Sequence, residues 1–356
     1  MDPNSLNKNK PVAMWLYIGA GMIIVQVLLG GITRLTGSGL SITEWQPILG
    51  TLPPMNEKAW QEAFEKYQQI AQFKYINSHF TLQDFKSIYF WEWFHRDWAR
   101  LMGVVFLIPF IYFVVTRKIN QSMIHPMIIL FLLGGLQGII GWVMVKSGIG
   151  TELVYVSHIR LAIHFIAALI LLCYVVWFAL RITIPRSSLS YNPGAKSLNV
   201  WLLVLLTIQL IYGAFMAGTH AALAAPTWPS INGMWWPGNY MLTQGSFLSD
   251  ITHNLVSIQF IHRNLAYLIT ILLVWWVIKV SKLSANSVLF RMRYVPVVLV
   301  VIQVILGVLA LLHSMLDTKL IYSILHQFVG ILLLLALTVT YFFNRGKAGT
   351  AAEAGK

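Results

Sequence analysis

Apolar residues in this chain gather into eight runs of membrane-spanning length, roughly 14–32, 94–116, 123–145, 158–180, 199–218, 256–278, 294–313 and 320–343. A helix needs about 20 apolar residues to cross a bilayer, so the pattern predicts an all-α polytopic membrane protein with eight transmembrane helices. Two longer segments break the rhythm. In 33–90, Trp60, Phe64, Tyr67 and Ala71 recur at spacings of three and four, with Glu62, Glu65 and Lys66 between them. That spacing predicts an amphipathic helix lying on the membrane surface or over a site. Thr81 followed by Asp84 has the form of a capping box and predicts the start of a second short helix feeding the second span. The segment 219–254, rich in Trp, Pro and Gly, predicts an irregular cap folded back on the bundle. Residues 346–356 have the composition of a disordered tail.

Composition agrees and adds direction. The chain is 57% hydrophobic and 10% charged, against about 25% charged in a soluble domain, and its mean hydropathy is +0.69. A net charge of +13 would suggest nucleic acid in a soluble protein; here its distribution reports topology instead. Lys8, Lys10, Arg117, Lys118, Arg181, Arg186, Lys196, Lys279, Lys282, Arg291, Arg293, Arg345 and Lys347 fall on one side, whereas the acids other than Asp2 and Glu353 fall on the other. The positive-inside rule puts both termini in the cytoplasm. Cys173, the single cysteine, lies inside an apolar run, which excludes a disulfide or a thiolate metal cluster. The first ten residues lead into a span with no small-residue cleavage site, so neither a removable signal nor a transit peptide is expected. A bacterial cytoplasmic membrane is the expected location.

The chain also matches itself. Gln26, Gly30, Trp45, Ile48, Gly50 and Pro54 correspond at one constant offset to Gln209, Gly213, Trp228, Ile231, Gly233 and Pro237. Phe94-His95-Arg96 corresponds to Ile261-His262-Arg263, Gln137-x-x-x-Gly141 to Gln303-x-x-x-Gly307, and His164 to His326. The expected organisation is two tandem pseudo-symmetric four-helix bundles running in parallel, 1–190 (with the long outer loop 33–90) and 191–345, followed by the tail 346–356.

Each half thus places one histidine near the outer end of its second helix and one in the first turns of its fourth. Paired imidazoles inside an apolar bundle suit six-coordinate haem iron. Zinc suits less, because neither half supplies further clustered ligands. A histidine bonded only to a backbone carbonyl is the bland alternative, but four at duplicated positions argue for ligation, and ionisable groups within spans mark function. His79, His125, His158, His220, His253 and His313 lack repeat partners at such positions and read as ordinary. The halves differ at one place: Glu92, three before His95, corresponds to Gln259, three before His262. A carboxylate can shuttle a proton or stabilise a developing cation; an amide cannot. The N-terminal half therefore reads as reactive and the C-terminal half as the cofactor half. Arg34 has no basic counterpart; a propionate, Glu92 or the membrane interface are its candidate partners.

Gly31-Ile32-Thr33-Arg34-Leu35-Thr36-x-Ser38-Gly39-Leu40-Ser41, Trp45-x-Pro47-x-x-Gly50-x-Pro53-Pro54, Glu92-x-x-His95-Arg96, Arg160-Leu161-Ala162-x-His164, Gln259-Phe260-x-His262-Arg263 and His326-Gln327 follow one another through all eight spans. In this combination the chain resembles the haem A synthase (CtaA/Cox15) family, in the subclass without a cysteine pair in the outer loops. The resemblance implies oxidation of the ring-D methyl of haem O to a formyl group by successive hydroxylations, giving haem A for terminal oxidases. It implies haem B as redox cofactor on His262 and His326, substrate haem on His95 and His164, and Glu92 acting in the oxidation. Arg34 and Arg96 are the candidate propionate or site contacts. It further implies hand-over from the farnesyltransferase that makes haem O (haem O synthase) and an electron-transfer partner. Two rivals use the same histidines: a di-haem b-type electron-transfer protein and a haem carrier.

Overall fold

The structure, a computed structural model, describes residues 3–45, 49–241 and 245–346. Ile48 of the repeat, Pro47 of the motif that follows Trp45, the charges at Asp2, Lys347 and Glu353, and nearly all of the tail 346–356 lie outside the described residues. Among the described residues there is no strand, only a two-residue antiparallel contact between Ile231 and Met234.

Among the described residues, eight helices are long and apolar enough to cross a membrane. The first four are α1 (Pro3–Leu35), α4 (Leu82–Val115), α5 (Gln121–Val145) and α6 (His158–Thr183). Between α1 and α4 lie α2 (Glu57–Gln68) and α3 (Ala71–Tyr75). The last four spans are α7 (Pro193–Gly218), α10 (Leu255–Val280), α12 (Val295–Leu312) and α13 (Lys319–Phe343). Shorter helices α8 (Gly238–Met241) and α9 (Phe247–His253) precede α10, and α11 (Val288–Arg291) leads into α12. Helix α1 begins at Pro3, well before the expected start at 14; the other expected runs coincide with these helices to within a turn or two, with one exception.

That exception is the start of the second span. Thr81 and Asp84 do form a capping box, but the helix they begin is not a short separate one: α4 continues unbroken into the membrane. No Gly or Pro interrupts 82–94, and the extra turns find apolar partners outside the bilayer. Phe85 is fully buried, with ring centroids 5.2 Å from both Phe64 and Tyr67 of α2. The amphipathic helix also differs from its prediction. It ends at Gln68, and Ala71 opens α3 after an extended residue, Ile70. The break lets the Tyr67 hydroxyl donate to Gln72 Oε1 at 3.0 Å and accept from Asn77 Nδ2 at 2.8 Å. Buried there, the Tyr67 phenol is pushed up to about 12, so it stays neutral and available as a donor. Helix α2 thus packs on the extension of α4.

Packing divides the spans into two kinds. Helices α1, α6, α7 and α13 form a central seam: α1 packs on α6 and α13, and α6 and α13 pack on α7 and on each other. Helices α4 and α5 flank α1 and α6, while α10 and α12 flank α7 and α13. The flanking helices bury a much smaller share of their surface, 6% for α4 against 44% for α1. Lipid solvates such faces as well as protein does, which is why exposed Leu and Ile are stable there. The close-packed core, including Met127, Leu172, Leu202, Leu273 and Trp276, lies toward the end of the bundle rich in Lys and Arg. At the opposite end the long loops meet one another. Trp45 stacks on Trp142 at 5.4 Å, Tyr75 reaches Glu152, and His158 bonds the Thr252 carbonyl at 2.8 Å.

Candidate functional site

All four repeated histidines sit near the loop end, and each ring rests on a glycine of a neighbouring helix. A Cβ on Gly30 of α1 would lie 3.2 Å from His95, and one on Gly141 of α5 would lie 3.1 Å from His164. The same holds for Gly213 of α7 under His262 (3.5 Å) and Gly307 of α12 under His326 (2.8 Å). At Gly307, and more mildly at Gly30 and Gly141, the imidazole takes up space a side chain would need, whereas a Cβ at Gly213 would make an ordinary contact. Four residues earlier on each of these helices stands a glutamine, one helical turn away. Gln26 Nε2 is 2.9 Å from His95 Nε2, and Gln209 and Gln303 stand 3.4 Å from the corresponding atoms of His262 and His326. An amide NH₂ only donates, so each of these Nε2 atoms presents its lone pair.

At His326 the tautomer is reinforced from the other side. His326 Nδ1 donates to the Gln303 carbonyl at 3.0 Å, and the matching Gln209 carbonyl lies beside His262. A backbone carbonyl on Nδ1 is the usual second contact of a metal-ligating imidazole. The His262 and His326 rings lie with centroids 6.3 Å apart and planes inclined at 72°. Metal–imidazole bonds of about 2 Å place two opposed rings at that separation, so the pair fits one iron between them. His95 and His164 are likewise close enough to interact electrostatically. The Oε1 atoms of Gln26, Gln137, Gln209 and Gln303 are buried without a hydrogen-bond partner, as are polar groups waiting for something absent from the bare chain. Among the described residues no three of His, Cys, Asp and Glu cluster as a metal set.

Glu92 lies three residues before His95 and is 3% exposed. Its carboxylate accepts from Arg96 Nη2 (2.5 Å), Ser41 Oγ (2.7 Å) and the Ile42 amide (2.9 Å). Arg96 also donates to the carbonyls of Ile42 and Glu44. Glu92 and Arg96 therefore hinge the loop after α1 onto α4. The C-terminal half repeats this hinge in neutral form. Gln259, fully buried, accepts from Arg263 and donates to the Ala221 carbonyl, while Arg263 reaches the carbonyls of Ala225 and Ser230. Ile42 and Ala225 stand at the repeat offset, and so do Ser41 and Ala224. The hydroxyl donor thus occurs where a carboxylate receives it and is missing where an amide stands.

Arg34 does not meet Glu92, which Arg96 occupies. Its Nε is buried without a hydrogen-bond partner, and its electrostatic neighbours are Tyr155 and His220. His220 read as an ordinary loop residue, yet it adopts φ 55° and packs on Tyr155 at 4.6 Å. Burial, with Arg34 and Lys319 nearby, holds its imidazole down at about 4. Nothing in its sequence neighbourhood signals this, since its partners come from three other segments.

The family profile described as "Cytochrome oxidase assembly protein" (COX15-CtaA) matches residues 13–338. The chain belongs to this family. Among its relatives, a "Heme A synthase" of Flavobacterium psychrophilum is 38% identical over 96% of this chain and 99% of the relative. A "Heme A synthase" of Bartonella tribocorum is 38% identical over 94% of this chain and 92% of its own length, and one of Rhodospirillum centenum is 44% identical over 72% and 68%. In this member of the COX15-CtaA family, the paired histidines and their glycine seats run through the matched region.

Proposed function

We propose that this chain is a haem A synthase, oxidising the ring-D methyl of haem O to a formyl group. The observation that carries the reading is the pair of matched histidine sites in a chain of this family, alike in glycine seat and glutamine neighbour but carrying Glu92 at one and Gln259 at the other. We assign 1–190 to the substrate half and 191–345 to the cofactor half. His262 and His326 would hold haem B, and His95 and His164 the iron of haem O.

Bound haem B supplies redox chemistry. The chain's own contribution is placement. Gly213 and Gly307 lie beside the two rings, and the Gln303 carbonyl accepts from His326 Nδ1, which leaves Nε2 as the ligating atom. Glu92, a turn from His95, offers a fixed acceptor that can take a proton or balance positive charge beside the substrate. Arg96 and Ser41 keep that carboxylate in place, and Arg34 is the unspent cation for a propionate. The Lys and Arg distribution supports a bacterial cytoplasmic membrane with the sites toward the outer face. In that setting the reading implies supply from haem O synthase and an electron-transfer partner.

Gly307→Val tests the cofactor seat. A Cβ at 307 already crowds His326 Cε1, so valine is expected to displace the ring and cut low-spin haem B by about tenfold or more. Unchanged helical circular dichroism would show the spans intact; an unchanged haem spectrum would contradict the seat.

The function itself is tested by purifying the protein from a host that makes haem O and chromatographing the extracted haems. Haem B together with haem O, haem A or a hydroxylated intermediate is expected. Haem B alone, at two per chain, would make the protein an electron-transfer cytochrome.

A further inference from the structure

Between α6, α7 and α13, in the central seam where the two halves meet, lies a cavity of about 370 Å³. Its wall on α6 runs from Ile166 to Trp177, about 12 to 28 Å along the helix from His158 at the loop end. That is the middle of a hydrocarbon layer about 30 Å thick. Most of the lining is aliphatic, but Cys173, Tyr174 and Trp177 of α6, Thr207 of α7 and Thr338 of α13 bring polar groups to it. The Thr207 and Thr338 hydroxyls each donate at 2.8 Å to a carbonyl of their own helix, Leu203 and Leu334. Cys173 Sγ is 3.5 Å from Thr338 Oγ1. A hydroxyl that donates to backbone keeps lone pairs with which to accept, whereas Tyr174 and Trp177 supply an O–H and an N–H.

The internal repeat shows that these groups are not demanded by the packing. With His164 aligned on His326, Cys173, Tyr174 and Trp177 correspond to Leu335, Ala336 and Val339, and Thr338 corresponds to Val176. With Gln26 aligned on Gln209, Thr207 corresponds to Ile24. Every one of the polar positions is aliphatic at its counterpart, and Ile24, Val176, Leu335 and Val339 pack in the apolar core. Helices in hydrocarbon pack without such groups, and polar side chains gathered within a span mark function. The cavity also adjoins the C-terminal histidine pair. Leu210 in its wall follows Gln209, whose amide stands 3.4 Å from His262 Nε2. Leu334 lies about 12 Å along α13 from His326. Ile170, also in the wall, is 58% exposed, so the cavity opens sideways to lipid.

We propose that this cavity binds the ring of an isoprenoid quinone, through which the membrane quinone pool exchanges electrons with haem B. The inference rests on the assignment of haem B to His262 and His326 and names the class of the electron-transfer partner. An occupant at this depth arrives through hydrocarbon, which rules out a soluble carrier protein or a dinucleotide. A lipid acyl chain would be satisfied by the aliphatic residues that stand at the repeat counterparts. A quinone ring is flat and largely apolar with an oxygen on either side, which suits an aliphatic cavity holding a few donors and acceptors. Tyr174, Trp177 and Cys173 can donate to the quinone carbonyls, and Thr207 and Thr338 can accept from the quinol hydroxyls. For each quinol oxidised, two O–H bonds break and two electrons pass, one at a time, to ferric haem B. The two protons go to water at the Lys- and Arg-rich end of the bundle, two turns from Trp177. The reverse exchange takes two electrons from ferrous haem B and two protons from that water.

The test uses the full chain in phosphatidylcholine nanodiscs and two probes: an azido-benzoquinone for photolabelling and a decyl-benzoquinol as reductant. Saturable labelling is expected on the peptides of α6, α7 or α13 that line the cavity, and the quinol is expected to reduce haem B. Thr207→Ile/Thr338→Val installs the residues found at Ile24 and Val176. It is expected to lower both the labelling and the rate of reduction by quinol about tenfold. Dithionite reduces haem B without the cavity, so a parental low-spin spectrum with dithionite reports an intact fold. Tyr174→Phe keeps the ring and removes one donor, and it is expected to lower the labelling by a smaller factor. Parental labelling and parental quinol reduction in Thr207→Ile/Thr338→Val overturn the site. A parent chain that takes no label at the cavity also overturns it and leaves the synthase reading standing. A parent labelled at the cavity but lacking low-spin haem B overturns the haem B assignment and the electron exchange with it.

Discussion

Replacing His262 or His326 with alanine is expected to abolish the low-spin haem B signal, whereas His95→Ala is expected to keep it. The reason is geometric. The 6.3 Å separation of the His262 and His326 rings is compatible with two imidazoles holding one haem iron, which each would then ligate. On this reading, loss of one would remove a bond to the iron rather than a contact, and the low-spin signal would go with it. Loss of a mere outer partner of a metal ligand already costs 10–100-fold in affinity, so retention is expected to fall by at least about tenfold. His95 belongs to the other half, seated on Gly30 of α1, and shares no ligand position with that iron. The measurement is the reduced-minus-oxidised spectrum of each purified variant, normalised to protein. A parental low-spin signal in His262→Ala and His326→Ala, with loss in His95→Ala, would reverse the assignment of the two halves.

Glu92→Gln is expected to retain haem B and the fold but to lose formyl production by about a hundredfold or more, the scale of a positioned acid–base group. The chain itself contains the control. Gln259 accepts the Arg263 guanidinium at the matching position, with its amide satisfied by the Ala221 carbonyl. A glutamine is therefore compatible with this helix–loop hinge, and the substitution removes charge more than structure. Retained loop packing can be read from the Trp45–Trp142 stack through tryptophan fluorescence. Formation of haem A at the parent rate by Glu92→Gln would show that Glu92 acts only through the hinge. Ser41→Ala separates the two roles further, since it removes one donor to the carboxylate and leaves Arg96 in place. It is expected to lower the rate of haem A formation less than Glu92→Gln does, with haem B retained; a parental rate would show that the Ser41 contact does not support the carboxylate.

Much of the site was legible before any coordinates, because duplication supplied a second copy of each signal. A lone His164 within an apolar run says little. With His326 at the same place in a second unit, and Gln-x-x-x-Gly on the helix before each, the pattern points to four equivalent seats. The spans were legible for an equally simple reason: a helix in hydrocarbon must satisfy its backbone internally over the full thickness of the bilayer, so length and apolarity suffice. The long first loop was less so. Thr81 and Asp84 marked where a helix begins, but whether it stops before the membrane depended on Phe64 and Tyr67 covering Phe85. Local sequence carries no record of that contact.

Sequence alone therefore determined the eight helices, the four histidines and the place where the halves differ. These follow from periodicity, composition and self-similarity, all properties of residues near one another along the chain. Tertiary structure decided which partner each group meets. It gave Glu92 to Arg96, Ser41 and Ile42 rather than to Arg34, and brought Arg34 to Tyr155 and His220 across three segments. It also turned one set of glycines into imidazole seats and left another, such as Gly138, facing open space. Glycine has no side chain to declare its purpose, so only the neighbouring helix, present at Gly141 and absent at Gly138, tells them apart.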